Sequence, residues 1–245
     1  SYVIERSGEE IYQGLKQISG AVYMIKKDIL EKVGWGTSIT EDFELTLRLY
    51  AQGYKVLYTP YIQAPAECVS TIKRLIRQRM RWAEGHSHNI RKMFTRLMFG
   101  RWEQQTIDGR GSNIDNQSSN FYSQNPSSTF NHLSSRKWTP SPLTLSEKLE
   151  FLYLSPYYLQ AFFFLIGTIS WFISETIFPA RLPFWTSLWG WSLVLTNFIS
   201  LPLMNGVGMF LEESEEKDYL GIGSFIALSY ILVPFQAYAS VKGFL

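Results

Sequence analysis

Thr40, Glu41 and Asp42 follow a glycine-flanked loop, Gly34-Trp35-Gly36, and open a predicted helix whose first turn also carries Glu44. Carboxylates at a helix start suit two kinds of chemistry. Ser38 with Glu41 three residues later has the spacing of a capping box, and acids near a helix N-terminus stabilise it by roughly a few tenths of a kcal/mol. Alternatively, one carboxylate projects into a cleft as a general base, because deprotonating a hydroxyl nucleophile needs a fixed acceptor within hydrogen-bond reach. Spacing alone supports both. A second constellation, Gln78-Arg79-Met80-Arg81-Trp82, lies on a basic helical segment, where Gln78, Arg81 and Trp82 fall three and four residues apart and share one face. A guanidinium fork matches phosphate oxygens, and an indole plate packs on the C–H face of a pyranose, so this face suits a diphosphate beside a sugar. It equally suits a helix on a membrane surface, its arginines meeting anionic lipid and its tryptophan at the interface.

Strand and helix signals alternate through the first hundred residues. Gln17 to Ile25 predicts a strand, Lys27 to Lys32 a short helix closed by Gly34, Glu41 to Gln52 a helix closed by Gly53, and Tyr54 to Thr59 a strand before Pro60. Val69 to Phe99 predicts a long basic helix with a break near Gly85. The succession implies an α/β layer over residues 1–102, and its abrupt opening at Tyr2 to Gln17 leads us to expect only the last third of such a layer. Gln104 to Pro142 is rich in Ser, Asn, Gln, Thr and Pro, so residues 103–142 are expected to form a polar flexible insertion. Leu143 to Leu154 resumes helical spacing with Ser146 as N-cap and Leu149, Leu152 and Tyr153 on one side, which predicts an interfacial helix.

Residues 143–245 hold the lipid-compatible part of the chain. Of 245 residues, 46% are hydrophobic and 16% aromatic, and most of that excess follows residue 150. Three uncharged runs, Phe151 to Ser174, Leu182 to Leu211 and Tyr219 to Val241, are each long enough to cross a hydrocarbon core of roughly 30 Å at about 1.5 Å per residue. Tyr157, Tyr158, Trp171, Trp185, Trp189, Trp191 and Tyr219 sit near the ends of these runs, where amphipathic rings favour the headgroup level. Three transmembrane helices in contact with membrane lipids are therefore expected. Positive charge clusters between Lys73 and Arg101, ahead of the first run, and assigns that side to the cytoplasm. The adjoining apolar runs argue against a nucleic-acid partner, which would need those arginines free for phosphate contacts. Cys68 is the only cysteine, which excludes an intrachain disulfide framework and a multi-cysteine metal site.

Thr40-Glu41-Asp42, followed about 35 residues later by Gln78-Arg79-Met80-Arg81-Trp82 and then by apolar spans, resembles the catalytic end of the membrane synthases of glycosyltransferase family 2, relatives of cellulose, chitin and hyaluronan synthases. Those proteins carry a T-E-D triplet and a Q-x-x-R-W pentad in this order, and Ser19-Gly20-Ala21 resembles their small-residue segment beside the acceptor. The resemblance covers roughly residues 15 to 100. It implies the C-terminal part of a GT-A-type α/β domain followed by a transmembrane helical region. It further implies an inverting transfer from a nucleotide sugar, a uridine diphosphate (UDP) sugar, to a glycan or lipid acceptor. In that reading Asp42 is the general base, with Glu41, Gly20 and Trp82 at the acceptor and Thr40 helping to position the loop. Gln78 and Arg81 would meet the leaving diphosphate, with Arg79 as a lesser contributor. The family's divalent cation, magnesium or manganese, is expected to be bound mainly by a donor-side half with no counterpart in this sequence, and no metal ligand is assigned within it. A rival of another class is a non-catalytic, membrane-anchored glycan-binding or scaffold subunit.

Departures from the family pattern and leftover residues also carry expectations. No F-x-V-T-x-K sequence, the gating element of bacterial cellulose synthases, is present. His86 and His88, with Glu84 close by, have a spacing that suits a metal, but the simpler expectation is a solvent-facing pair. Glu212, Glu213, Glu215 and Glu216 read as a solvated acidic turn between the second and third spans.

Overall fold

A computed structural model describes residues 8–59, 67, 69–106, 134–176, 199, 203, 206–207 and 219–245. Two helices build the floor of the site. Helix α1 (Lys27–Val33) ends at Gly34, whose φ of 71° suits a residue without a Cβ. Helix α2 (Glu41–Ala51) is apolar on two sides, so it is buried on both. Phe43, Leu47 and Tyr50 join one cluster with Leu15, Ile90 and Phe151, while Leu45 and Leu49 join another with Ile18 and Val33. Gly53, at φ 82°, closes α2: its N–H bonds the Tyr50 carbonyl and the Tyr54 N–H bonds that of Leu49, both at 3.0 Å, which is a Schellman stop.

Helix α3 (Ile72–Met98) runs without interruption, capped by Thr71, whose side chain accepts the Arg74 N–H. The expected break at Gly85 does not occur. Gly85 is instead the place where α3 crosses α2: a Cβ there would lie 2.6 Å from Thr40 Oγ1. The inward positions Ala83, Ile90, Met93 and Leu97 are buried. Strands β1 (Gly100–Thr106) and β2 (Ser134–Pro140) then pair antiparallel, with Trp102 opposite Trp138 and their rings edge-on at 5.2 Å. The two ends of the polar insertion are thus ordered by a ladder and an aromatic pair that its composition obscures; residues 107–133 lie outside the described part.

Neither predicted strand of the first hundred residues pairs with another among the described residues. Tyr54, Val56 and Tyr58 are half-buried and alternate with exposed Lys55, Leu57 and Thr59, so the period of two survives without a ladder. Side chains of α2 satisfy part of the other segment: the Lys16 N–H donates to the Tyr50 hydroxyl and the Ile18 N–H to Thr46 Oγ1, both at 3.0 Å. Helix α4 (Leu145–Leu154) is capped by Thr144 rather than Ser146, through a reciprocal capping box with Glu147. Ser146 instead donates to the Tyr12 carbonyl at 2.5 Å.

The first apolar run does not open a span at Phe151, which is fully buried in the core. The chain breaks after Leu154, and helix α5 (Leu159–Thr176) leaves α4 at 47°. Helix α6 (Tyr219–Phe244) corresponds to the third run, and its 22 residues Gly223–Phe244 are long and apolar enough to cross a membrane. The second run lies almost wholly outside the described residues, so the structure offers one such helix, or two when α4 and α5 count as one broken span. Helix α6 packs along α5 and then onto α3. Its last turn is pinned there: Lys242 pairs with Glu84 at 2.8 Å, Arg91 donates to the Phe244 carbonyl at 2.7 Å, and a Cβ at Gly243 would lie 2.3 Å from the Glu84 carbonyl oxygen.

The crossing at Gly85 gives a test. Alanine in an open helix position gains about 1 kcal/mol over glycine, whereas overpacking costs about 1–3 kcal/mol. Because Thr40 is itself held by Asn89, Gly85→Ala should lower the melting temperature and Gly85→Val should lower it further. A stabilised Gly85→Ala protein would show that α2 and α3 do not touch there.

Candidate functional site

The three acids at the start of α2 occupy three different environments. Glu41 is exposed. Glu44 is 3% exposed and turns inward, accepting the Ser38 N–H at 3.0 Å and pairing with Lys92 of α3 at 3.2 Å. Burial pushes its carboxyl up, but the Ser38 N–H and the Lys92 ammonium more than offset that, holding it below the ordinary glutamate value. Asp42 lies between these extremes. Its Oδ1 accepts the Phe43 N–H at 2.8 Å, and its Oδ2 would be 3.0 Å from a Cβ on Gly20. Gly20 therefore leaves room for the outward oxygen of Asp42, and any side chain there would crowd it. Tyr23 lies nearby: burial, then the charges of Glu41 and Asp42, push its phenol up.

The capping box suggested by Ser38 and Glu41 is absent. Thr40 is the N-cap and makes no side-chain cap bond. It is held from the other helix, because Asn89 Nδ2 donates to its hydroxyl at 3.0 Å and its carbonyl at 3.2 Å. The triplet is thus seated by α3, the helix that carries the pentad.

On α3, Gln78 and Trp82 are half-buried and Arg81 is exposed. Arg79, ranked below Arg81 on spacing, is the arginine that engages the indole: its guanidinium carbon lies 4.9 Å from the centre of the Trp82 ring. Its Nε is buried without a partner among the described residues. Tyr158, in the turn between α4 and α5, lies close enough to Arg79 and Asp42 to feel their charges.

His86 is the other residue that spacing misplaced. His88 is exposed, but His86 is 7% exposed, stacked on Phe43 with ring centres 4.3 Å apart at 15°, and edge-on to Tyr158 at 5.3 Å. Its Nε2 lies 3.0 Å from the Leu154 carbonyl, which can only accept, so Nε2 carries the proton. Burial drives its pKa down to about 4, so the ring is neutral at pH 7. Among the described residues, no three His, Cys, Asp or Glu side chains come together as a metal site.

Comparison with known proteins decides the family. The model of glycosyl transferase family group 2 matches residues 11–211, a stretch that includes both motifs. The chain belongs to this family. Membership implies a GT-A-type α/β domain. Among curated proteins, this family member is 33% identical over 97 residues to poly-beta-1,6-N-acetyl-D-glucosamine synthase of Staphylococcus aureus (strain COL), covering 38% of this chain and 23% of that protein. It is 35% identical over 82 residues to a probable glycosyltransferase, YdaM, of Bacillus subtilis (strain 168), covering 33% of this chain and 20% of the relative. The match therefore spans less than a quarter of the length of these relatives. No solved structure matches the chain.

Neutral, buried His86 makes the region acid-sensitive. The unfolded ring takes a proton near 6.5 and the folded one only near 4, so the unfolded state binds more protons between those values. His86 adds no penalty above pH 6.5, and stability falls as pH drops through the window towards 4, by about 3 kcal/mol in all. His86→Gln should flatten melting temperature against pH across this range; an unchanged slope would contradict the assignment.

Proposed function

We propose that this chain forms the acceptor-side part of an inverting glycosyltransferase that works at a membrane, with Asp42 as the general base. The observation that carries the reading is the seat of Asp42. One carboxylate oxygen is fixed by a backbone N–H and the other lies beside a glycine, while on α3 the arginine of the pentad lies over its indole. The acceptor hydroxyl gives its proton to Asp42 as its oxygen forms a bond to the anomeric carbon. The bond from that carbon to the diphosphate oxygen breaks on the opposite side, and the departing negative charge is met by Arg79, Arg81 and Gln78. Trp82 lines the acceptor, Gly20 keeps space for it, and Glu41 and Thr40 hold the loop.

The donor in this reading is a UDP sugar. A divalent cation, magnesium or manganese, would be held mainly by the donor-side half of such an enzyme. The likeness to a polysaccharide synthase favours a glycan over a lipid as acceptor. The outward apolar side chains of α5 and α6, such as Phe163, Phe172 and Ile231, suit lipid contact in a multi-pass protein. The basic charge of α3 supports a cytoplasmic site, where nucleotide sugars are available.

Nucleoside diphosphate release by the full-length protein in membranes, across a panel of sugar nucleotides, tests this reading. One donor should support turnover, and Asp42→Asn should reduce it by about a hundredfold or more while nucleotide binding survives. No release with any donor, from folded and inserted protein, would favour the non-catalytic membrane subunit instead.

A further inference from the structure

Helix α6 carries no residue of either motif, yet its last turn grips the helix that bears the pentad. Lys242 is the one charged residue of α6, and Glu84 is the one acid of α3; they pair at 2.8 Å. The carbonyl of Phe244, left without an intrahelical donor at the helix end, accepts from Arg91 of α3 at 2.7 Å. Gly243 lies flat on α3 between these contacts: a Cβ there would fall 2.9 Å from Ser87 Cβ and closer still to the Glu84 carbonyl oxygen. A backbone oxygen inside a helix cannot swing aside as a side chain can, so any residue but glycine would force the two helices apart.

The α6 contacts fall on the same two turns of α3 that meet α2. Glu84, Ser87 and Arg91 face α6, whereas Gly85, Asn89 and Lys92 face Thr40 and Glu44 of α2. Phe244 also packs against the core cluster that holds Phe43 and Leu47, so α6 leans on the layer as well as on the helix. Two crossings, each permitted by a glycine, therefore hold one stretch of α3 from two sides. That stretch begins two residues after Trp82, with no break in the helix between them.

We propose that Lys242 and Gly243 are positioning residues: the last turn of α6 sets α3 against α2, and thereby sets the pentad relative to the carboxylate of Asp42. Both act through α3, without touching substrate. The inference rests on the transferase reading for the roles of Asp42 and the pentad, whereas the seating of α3 by α6 stands on contacts alone. A displacement of about 1 Å far from the chemistry can cost about a hundredfold in rate, so a grip of this kind acts on turnover more than on binding.

Gly243→Ala, Lys242→Met and Lys242→Arg in the full-length protein in membranes test this by two readouts. One is amide hydrogen exchange at the start of α2, and the other is kcat set against affinity for uridine diphosphate. Gly243→Ala should speed exchange there by about tenfold and lower kcat at saturating donor by about tenfold, with diphosphate affinity within about twofold of wild type. Lys242→Met should move exchange and kcat in the same direction by about threefold at an unchanged melting temperature, since an ion pair half open to solvent adds little to stability. Lys242→Arg, which keeps the charge, should restore both, and the lysine variants decide the matter should Gly243→Ala fail to insert. Unchanged exchange over α2 in both folded variants, or a wild-type kcat in both, would overturn the inference, because a merely structural contact loosens α6 alone. Faster exchange over α2 in a protein that transfers no sugar would uphold the seating by α6 and remove the transferase reading.

Discussion

One buried amide ties the two motifs into a single unit. Asn89, with no exposed surface, uses its Nδ2 to hold both the hydroxyl and the carbonyl of Thr40, the residue that begins the triplet. The bonds form only because Gly85, one turn earlier on α3, has no side chain to keep the helices apart. A second tie lies one turn later on α3, where Lys92 meets Glu44. These contacts fix the direction in which Asp42 faces, since it lies between Thr40 and Glu44 on α2. Asn89 Oδ1 is left buried without a partner among the described residues, a cost of about 1–3 kcal/mol that the fold carries to retain the amide.

The same helix α3 also receives the apolar part of the chain. Its Glu84, Ser87 and Arg91 meet the last turn of α6, while His86 meets the end of α4 and the turn before α5. Helix α3 therefore sits between the acid-bearing helix α2 and the apolar helix α6. The neutral state of His86 is part of this arrangement, because a protonated ring there would leave a charge buried between Phe43 and Tyr158.

Helices were legible in the sequence because their signals are local. Gly34 and Gly53 stop α1 and α2 where a left-handed residue is needed, and the three-and-four spacing of Ala83, Ile90, Met93 and Leu97 marks the buried side of α3. The predicted strands were not realised as ladders because a ladder needs a neighbour, which local alternation cannot reveal. Gly85 was misread as a break because a helix glycine costs the same propensity whether it marks a kink or a close approach. Asn89, Lys92 and the burial of His86 depend on where α3 crosses α2 and α4, contacts between residues far apart in sequence. Arg79 was ranked low because an ideal helix face describes where a side chain leaves the backbone, whereas its long stem reaches the Trp82 ring one turn away. The two motifs are local in sequence; the contacts of Asn89, Lys92 and His86 with them and around them are not.

The central claim is that α3 aims the acid of α2. Its most direct test is the rate of nucleoside diphosphate release at saturating donor by Asn89→Leu, Asp42→Asn and the double variant, each confirmed folded. If Asn89 acts by seating the triplet, Asn89→Leu should lose about tenfold or more alone and add almost nothing to Asp42→Asn, because the acid it aims is already gone. A wild-type rate in Asn89→Leu, or losses that multiply in the double variant, would contradict it.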